Sequence, residues 1–309
     1  MKAVICTKYG GPEVLQIVEL PKPTITDTQV LVKVMATAVN SGDVRVRGLA
    51  MSPFLRIIMR IAIGFTKPRK PVLGVVLSGV VESVGTSVTK FKPGDEVYAM
   101  TGFKFGAYAE YAALHEDSMM TLKPNNASFA EAAAIVFGGA TAVYFLGAAK
   151  IGATNNQRVL IYGATGAVGT AAVQIAKSYG AHVTAVCGED GVALVRELGA
   201  DEVIVYTKED FTKQAIKYDI IFDAVGKTTK LQCASLLGPG GQYRTVGGLK
   251  VAKEKTEQLV FLRSLYERGR YKATIDKMYT LDEIVEAHRY VDSGRKKGNA
   301  VITVGIAVP

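Results

Sequence analysis

Residues 160–177 read LIYGATGAVGTAAVQIAK. An apolar run enters a turn of small residues, and an Ala-rich amphipathic stretch leaves it. Within the turn, Ala164-Thr165-Gly166-Ala167-Val168-Gly169 follows the G-x-G-x-x-G pattern of dinucleotide sites, with Ala in the first Gly position and Gly163 before it. Small residues there let the backbone approach a pyrophosphate, and a helix beginning near Gly166 aims its N–H groups at the anion. Gly169 lets that helix pack close to the strand. A tight strand-to-helix turn without a ligand has the same pattern. Context favours the ligand: a strand precedes the turn, a helix follows it, and the alternation continues.

Working outward, RVLIY, GTAAVQIAKSYG, HVTAVCG, GVALVRELG, EVIVY, YDIIFDAVG, KLQCASLLG and GQYRTVGG alternate strand-like with helical runs. Such alternation predicts parallel strands with crossover helices, a doubly wound sheet. Upstream of about residue 125 the character differs. QVLVKVMATAVN, VVLSGVVESVG and DEVYAMTG are short β-like runs between turn residues. Ser128 with Glu131 three residues on is a capping box opening a helix.

Composition bounds the remaining classes. A chain of 309 residues, 49% hydrophobic, is long enough for two cores. No membrane-spanning segment is expected from its apolar runs, and its start reads as a strand. The expectation is a cytosolic, cytoplasmic protein. Cys6, Cys187 and Cys233 are far apart, which suits a reducing compartment. A net charge of +9 admits nucleic acid, an anionic membrane surface or a polyphosphate ligand. Nucleic acid is disfavoured because no aromatic-interleaved basic motif accompanies the charge.

In NAD sites an acid about 20 residues after the turn, at the tip of the second strand, binds the ribose 2′-OH. Here that strand ends Val186-Cys187-Gly188, without an acid at its tip. This favours NADPH, with NADH left open because Glu189 and Asp190 follow at once.

YGGPEVLQIVELPKP, AVNSGDVRVRG, GVVESVGTSVTKFKPGDEVYA, GAYAEY, LGADEVIVYTKEDF and EAHRYVDSGRKKGNAVITV stand in this order along the chain. Together they resemble the medium-chain dehydrogenase/reductase superfamily, in its zinc-free quinone oxidoreductase-like branch. The resemblance implies a GroES-like β-rich catalytic domain over residues 1–125, completed by 273–309. It implies a Rossmann dinucleotide-binding domain over 126–272. It also implies hydride transfer from NADPH to a quinone or an α,β-unsaturated carbonyl. Asn40 is placed beside the nicotinamide as a hydrogen-bond donor, although an Asn ending a strand reads equally as a turn residue. Thr141 and Val246, Gly247 and Gly248 are placed against the nicotinamide, Val225 and Gly226 near the ribose, and Tyr206 near the adenosine phosphate. Asn299 falls where relatives often carry Lys. Asp43 and Arg47 match the family pattern and read as partners of one another.

Zinc members carry a Cys where this chain has Asn40 and Gly-His-Glu where it has Gly74-Val75-Val76; the region of Phe137 and Gly138 lacks Cys and His too. His115, His182 and His288 are scattered, so no zinc is expected. Without a Lewis acid, each well-aimed hydrogen-bond donor supplies roughly 3–4 kcal/mol. A substrate that is already electrophilic, a small hydrophobic quinone or enone, therefore fits best. Three departures stand out. Val76 replaces a usual Asp, and Val44 replaces an aromatic. The stretch after Gly248 is short, passing directly into Leu249-Lys250-Val251. In relatives that stretch borders the active site near dimer-forming sheet edges, so the shortening counts against a homodimer and against closure of the site.

MSPFLRIIMRIAIGF, residues 51–65, places Arg56 and Arg60 four apart among apolar residues. It reads as a helix packed on the first domain with its Arg pair in solvent, as an apolar lid, or as an interfacial helix making weak membrane-surface contact. Two further functional readings are kept: a low-activity dinucleotide-binding protein serving redox sensing or nucleic-acid binding, and a zinc-free alcohol dehydrogenase.

Overall fold

A computed structural model describes residues 1–248, 252–253 and 255–305. In chain order, the elements are β1 (Lys2–Cys6), β2 (Leu15–Glu19), β3 (Gln29–Val39), α1 (Ser41–Gly48), α2 (Pro53–Ile63), β4 (Val76–Val84), β5 (Glu96–Met100), β6 (Tyr111–His115) and β7 (Met119–Leu122). Then come α3 (Phe129–Ala148), β8 (Arg158–Tyr162), α4 (Ala167–Ser178), β9 (His182–Cys187), α5 (Val192–Glu197), β10 (Glu202–Val205), β11 (Tyr218–Asp223) and β12 (Leu237–Thr245). Helix α6 (Thr256–Glu267), β13 (Ile275–Thr280), α7 (Ile284–Asp292) and β14 (Asn299–Thr303) close the chain. Two compact units result: Met1–Val136 with Ile275–Pro309, and Phe137–Thr274. Their division falls inside α3, whereas the change in composition precedes that helix, because one continuous helix serves both units.

The first unit is built on β3, which bonds to β4, β6 and β14. A strand with neighbours on both edges and cover on both faces needs apolar residues almost throughout. Val30, Val32, Val34, Ala36, Ala38 and Val39 are all buried. The sheet order is β13-β14-β3-β4-β5-β7, and a small antiparallel pair, β1-β2, accompanies it. The return of the chain in β13 and β14 completes this unit.

The second unit is a parallel sheet of order β10-β9-β8-β11-β12. Val159, Leu160 and Ile161 of central β8 are wholly buried, as a strand covered on both faces requires. The chain moves from β8 outward to β9 and β10, then crosses back to β11 on the other side. Ligands of such sheets bind at the carboxyl ends of the strands where the order reverses, here between β8 and β11. Leu249, Lys250 and Val251, in the shortened segment, lie outside the described residues.

One element departs from the periodicity. KLQCASLLG was expected to be a helix, but it forms turns and one 3₁₀ turn, Ala234–Leu236, before β12. The connection from β11 is short. It inserts Cys233 and Leu236 into the core and leaves Leu231 in solvent, so no full helical face is needed. Helix α3 is long and apolar enough to cross a membrane, yet 67% of its apolar window is buried, as in a core helix. Its start is the expected capping box: Glu131 accepts from Ser128 N at 2.8 Å, and Ser128 Oγ accepts from Glu131 N at 3.2 Å.

Candidate dinucleotide site

Helix α4 begins at Ala167 with Gly166 as its N-cap, and no side chain caps it. The first-turn N–H groups of a helix have no intrahelical partner, so here they are offered to an anion. Thr165, Gly166 and Ala167 are half-buried, while Ala164, Val168 and Gly169 are packed inside. The glycines of the turn are required by close approach. Gly163 has φ +76°, and a Cβ on it would lie 2.0 Å from Val225 Cγ2. A Cβ on Gly169 would lie 2.1 Å from the Gly163 carbonyl oxygen. At Gly166 the nearest atom to such a Cβ is 3.8 Å away, so this position opens onto free space in front of the helix end. That cradle fits a diphosphate.

The neighbouring turns converge on it. Gly191, just beyond β9, is pressed against Thr165. At the tip of β9 the Cys187 side chain is buried, and its carbonyl accepts from Tyr206 N at 3.1 Å. Gly188 is therefore the half-buried backbone there, with the Tyr206 hydroxyl close by. Tyr206 lines a shallow cavity of about 440 Å³ with Tyr162, Lys208, Asp210 and Phe211. Lys208 Nζ donates to Glu189 Oε1 at 2.5 Å, which ties that carboxylate to a cation. Sequence reasoning missed Lys208. It is supplied by the loop after β10, and nothing in its local sequence marks it.

Beyond β11, Asp223 is fully buried and organises the other side. Its Oδ1 accepts from Val225 N (3.0 Å) and Gly226 N (2.8 Å). Its Oδ2 accepts from Thr228 N (2.7 Å) and from the hydroxyls of Thr228 (3.0 Å) and Thr245 (3.2 Å). Val246 N donates to the Asp223 carbonyl, and the backbone of Gly247 comes so near Gly226 that a Cβ there would be 2.7 Å from it. Val225, Gly226, Val246 and Gly247 thus form one backbone surface, with Gly248 exposed next to them. Asp223 is the second residue that the sequence left unread; its signal was an acid closing the apolar run YDIIFD before a glycine. Buried Thr141 lies on α3, three residues beyond Gly138 and on the same face. A Cβ on Gly138 would strike the Ala167 carbonyl at 2.2 Å, so no metal-binding side chain fits at that position.

Asn40 and Asn299 belong to the first unit. Val39 pairs with Ala300, which brings the two buried asparagines to the same end of the β3–β14 ladder. Asn40 is the N-cap of α1: Asp43 Oδ2 accepts from its backbone N at 3.0 Å. Its amide nitrogen donates to the Ala38 carbonyl and to Asp43 Oδ2, both at 3.3 Å. Both amide hydrogens are therefore directed inward. Arg47 does not pair with Asp43, as the spacing suggested. Its Nη2 donates to Asp292 Oδ2 at 2.7 Å, because α7 packs against α1 and brings that carboxylate within reach.

Around these residues lies a buried polar cluster. Asp43 Oδ1, Arg47 Nε and Nη1, the Tyr108 hydroxyl and both His288 ring nitrogens are buried without hydrogen-bond partners. Burial pushes the Asp43 carboxyl up to about 7, against the hydrogen bonds donated by Asn40. Burial, helped by the Arg47 guanidinium, pushes the His288 imidazole down to about 3. His288 is neutral and stacks edge-on against Tyr108, with centroids 5.6 Å apart.

Comparison with known proteins agrees with this architecture. Residues 26–124 match the family described as alcohol dehydrogenase GroES-like domain, and residues 167–286 that described as zinc-binding dehydrogenase. The 2-methylene-furan-3-one reductase of Solanum lycopersicum is 35% identical, over 98% of this chain and 79% of that protein. The chain belongs to the medium-chain dehydrogenase/reductase superfamily, in its quinone oxidoreductase-like branch. Among further relatives of this superfamily member, the chloroplastic NADPH-dependent alkenal/one oxidoreductase of Arabidopsis thaliana is 32% identical, over 98% of this chain and 79% of that protein. The quinone oxidoreductase structure from Coxiella burnetii superposes with a TM-score of 0.86 at 27% identity, covering 99% of both chains. Zinc, named by one matched family, does not fit the donor set here. Asn40, Val75 and Val76 offer no thiolate, imidazole or carboxylate. Among the described residues no three His, Cys, Asp or Glu side chains gather in a metal-binding group.

Proposed function

We propose that the protein is a metal-independent oxidoreductase that transfers hydride from NADPH to a quinone or an α,β-unsaturated carbonyl. The observation that carries this reading is the convergence of the uncapped α4 N-terminus, the Val225–Gly226 and Val246–Gly247 backbone, and the Tyr206–Lys208 cavity at the carboxyl ends of one parallel sheet. The named activities of the relatives, reduction of furanones, alkenals and enones, and quinones, point the same way. When bound, NADPH supplies the hydride from its nicotinamide ring.

The chain's own residues hold and orient it. The backbone of Thr165, Gly166 and Ala167 would receive the diphosphate, and the backbone of half-buried Gly188 and exposed Gly226 would flank the ribose. Lys208 would meet a 2′-phosphate, and its ion pair with Glu189 offsets the carboxylate that would otherwise repel it. Because that ion pair is exposed, the preference for NADPH over NADH is modest. Asn40 positions the β3–α1 junction, since its amide donors are engaged within the first unit. With no metal donors at hand, polarisation of the substrate falls to hydrogen bonds, which suits acceptors that are already conjugated. The reductase names of the curated relatives do not favour nucleic-acid binding or alcohol oxidation. The three cysteines are buried and not joined by disulfides, which agrees with a reducing compartment.

Turnover of a panel of quinones, enones and simple ketones, with NADPH and NADH, tests this reading. Conjugated acceptors should be reduced and simple ketones left alone. Faster reduction of simple ketones, or a tenfold preference for NADH, would overturn it.

A further inference from the structure

Helix α2 is inverted with respect to the packing that its sequence suggests. Phe54, Ile57, Ile58 and Ile61 stand at i, i+3, i+4 and i+7, the spacing with which a helix buries one face. Yet they are 68%, 60%, 43% and 62% exposed, and Phe65 just beyond the helix is 68% exposed. Of the helix only Ile63 is buried. Arg60, expected in solvent, is instead tucked against the rings of Tyr9 and Phe65, 6.0 and 5.7 Å from their centroids. The surrounding charge is of one sign. Residues 44–81 contain seven Arg or Lys and no Asp or Glu. Of these, Arg45, Arg56, Lys67, Arg69 and Lys70 are exposed, the last four on α2 or the loop after it.

We propose that α2 and the loop to Lys70 dock this protein reversibly onto an anionic phospholipid surface. Phe54, Ile57, Ile58, Ile61 and Phe65 enter the boundary between headgroups and acyl chains, and the four exposed cations of this segment meet lipid phosphates. An apolar face flanked by unopposed cations is the composition of interfacial helices, whose binding adds buried apolar area to attraction for anionic lipid. A helix of 11 residues lies on a bilayer and does not cross it. Charge decides against a second copy of the chain as the occupant. A two-fold contact through this face would set cationic segment against cationic segment, and its few side chains fall short of the roughly 20–30 residues a side of a stable interface. A nucleic acid would match the cations but leave the Phe and Ile side chains in water.

The test uses the full chain with vesicles of phosphatidylcholine alone and of phosphatidylcholine mixed with phosphatidylglycerol. Sedimentation should carry the protein down with the anionic vesicles only, and added salt should weaken binding. Ile57→Glu with Ile61→Glu, both at exposed positions, should lower vesicle affinity at least about tenfold while keeping the melting temperature and the turnover of a water-soluble enone. Lys67→Glu with Lys70→Glu should weaken binding similarly. Absence of binding to anionic vesicles, or equal binding by the Ile double variant, would overturn the proposal. So would a dimer dissociated by the same variant, which would make the occupant a second copy. A matching loss of soluble-enone turnover would make α2 a substrate lid. Because binding is read without catalysis, failure here leaves the proposed reaction untouched.

Discussion

Gly166 has an ordinary φ of −74° and open space where a side chain would go, so a substitution there acts on the ligand and not on the fold. Asp is a preferred N-cap, and in Gly166→Asp its carboxylate would itself take the first-turn N–H groups of α4. The variant should melt at the wild-type temperature or above, yet bind NADPH at least about a hundredfold more weakly; equal affinity in fluorescence titration would dissociate the turn from the site. Asn40→Ala removes an N-cap and a donor to buried Asp43, with an expected loss of about 1 kcal/mol in denaturant unfolding. Its kcat should change less than tenfold, and a larger drop at unchanged stability would return Asn40 to the reacting atoms. Asp43 carries a pH signature. Its carboxyl is raised in the folded state, so between about pH 4 and 7 the native protein holds a proton that the unfolded chain has lost. Stability from this group is greatest at low pH and declines as pH rises through that window. The stability of Asp43→Asn relative to wild type should therefore climb by about 1.4 kcal/mol per pH unit from pH 4 to about 7 and level off above. A flat difference would mean that the carboxyl is not raised.

At the scale of elements, the adenosine end of the site is made by two loops, one after β9 and one after β10. The Glu189–Lys208 pair joins them across 19 positions of sequence. Lys208→Ala should weaken NADPH by about tenfold and leave NADH nearly unchanged, because only the former carries the 2′-phosphate. Equal loss for both cofactors in paired titrations would remove Lys208 from the role. Gly188 and Tyr206 were legible as binding positions, but the meeting of the two loops through Lys208 was not. A pattern of strands and helices tells which segments are loops, but which loops meet depends on strand order. The same limit explains the misread segment before β12, where apolar residues promised a helix and the short connection allowed a 3₁₀ turn. Helix α2 shows the converse. Its periodicity was plain in the sequence, and only the structure shows that the apolar face looks outward.

For the whole molecule, the donor set predicts chemistry without zinc. Asn40, Val75 and Val76 offer no ligand, and Gly138 has no room for one. Purified protein should contain zinc far below one per chain by elemental analysis, and strong chelators should leave enone turnover intact. Stoichiometric zinc lost together with activity would overturn the mechanism.

The parallel-sheet unit, the phosphate turn and its glycines were determined by the sequence alone. Hydrophobic period, capping and close backbone approach are local properties, and each leaves its mark within about one turn of helix or strand. Tertiary structure decided the rest. It gave Arg47 to Asp292 instead of Asp43, placed Asn299 beside Asn40, set Lys208 against Glu189, and turned the Phe and Ile face of α2 to solvent. Each of these depends on residues far apart in the chain, or on a face that no described segment covers. Chain connectivity encodes such pairings only through the complete packing of the fold.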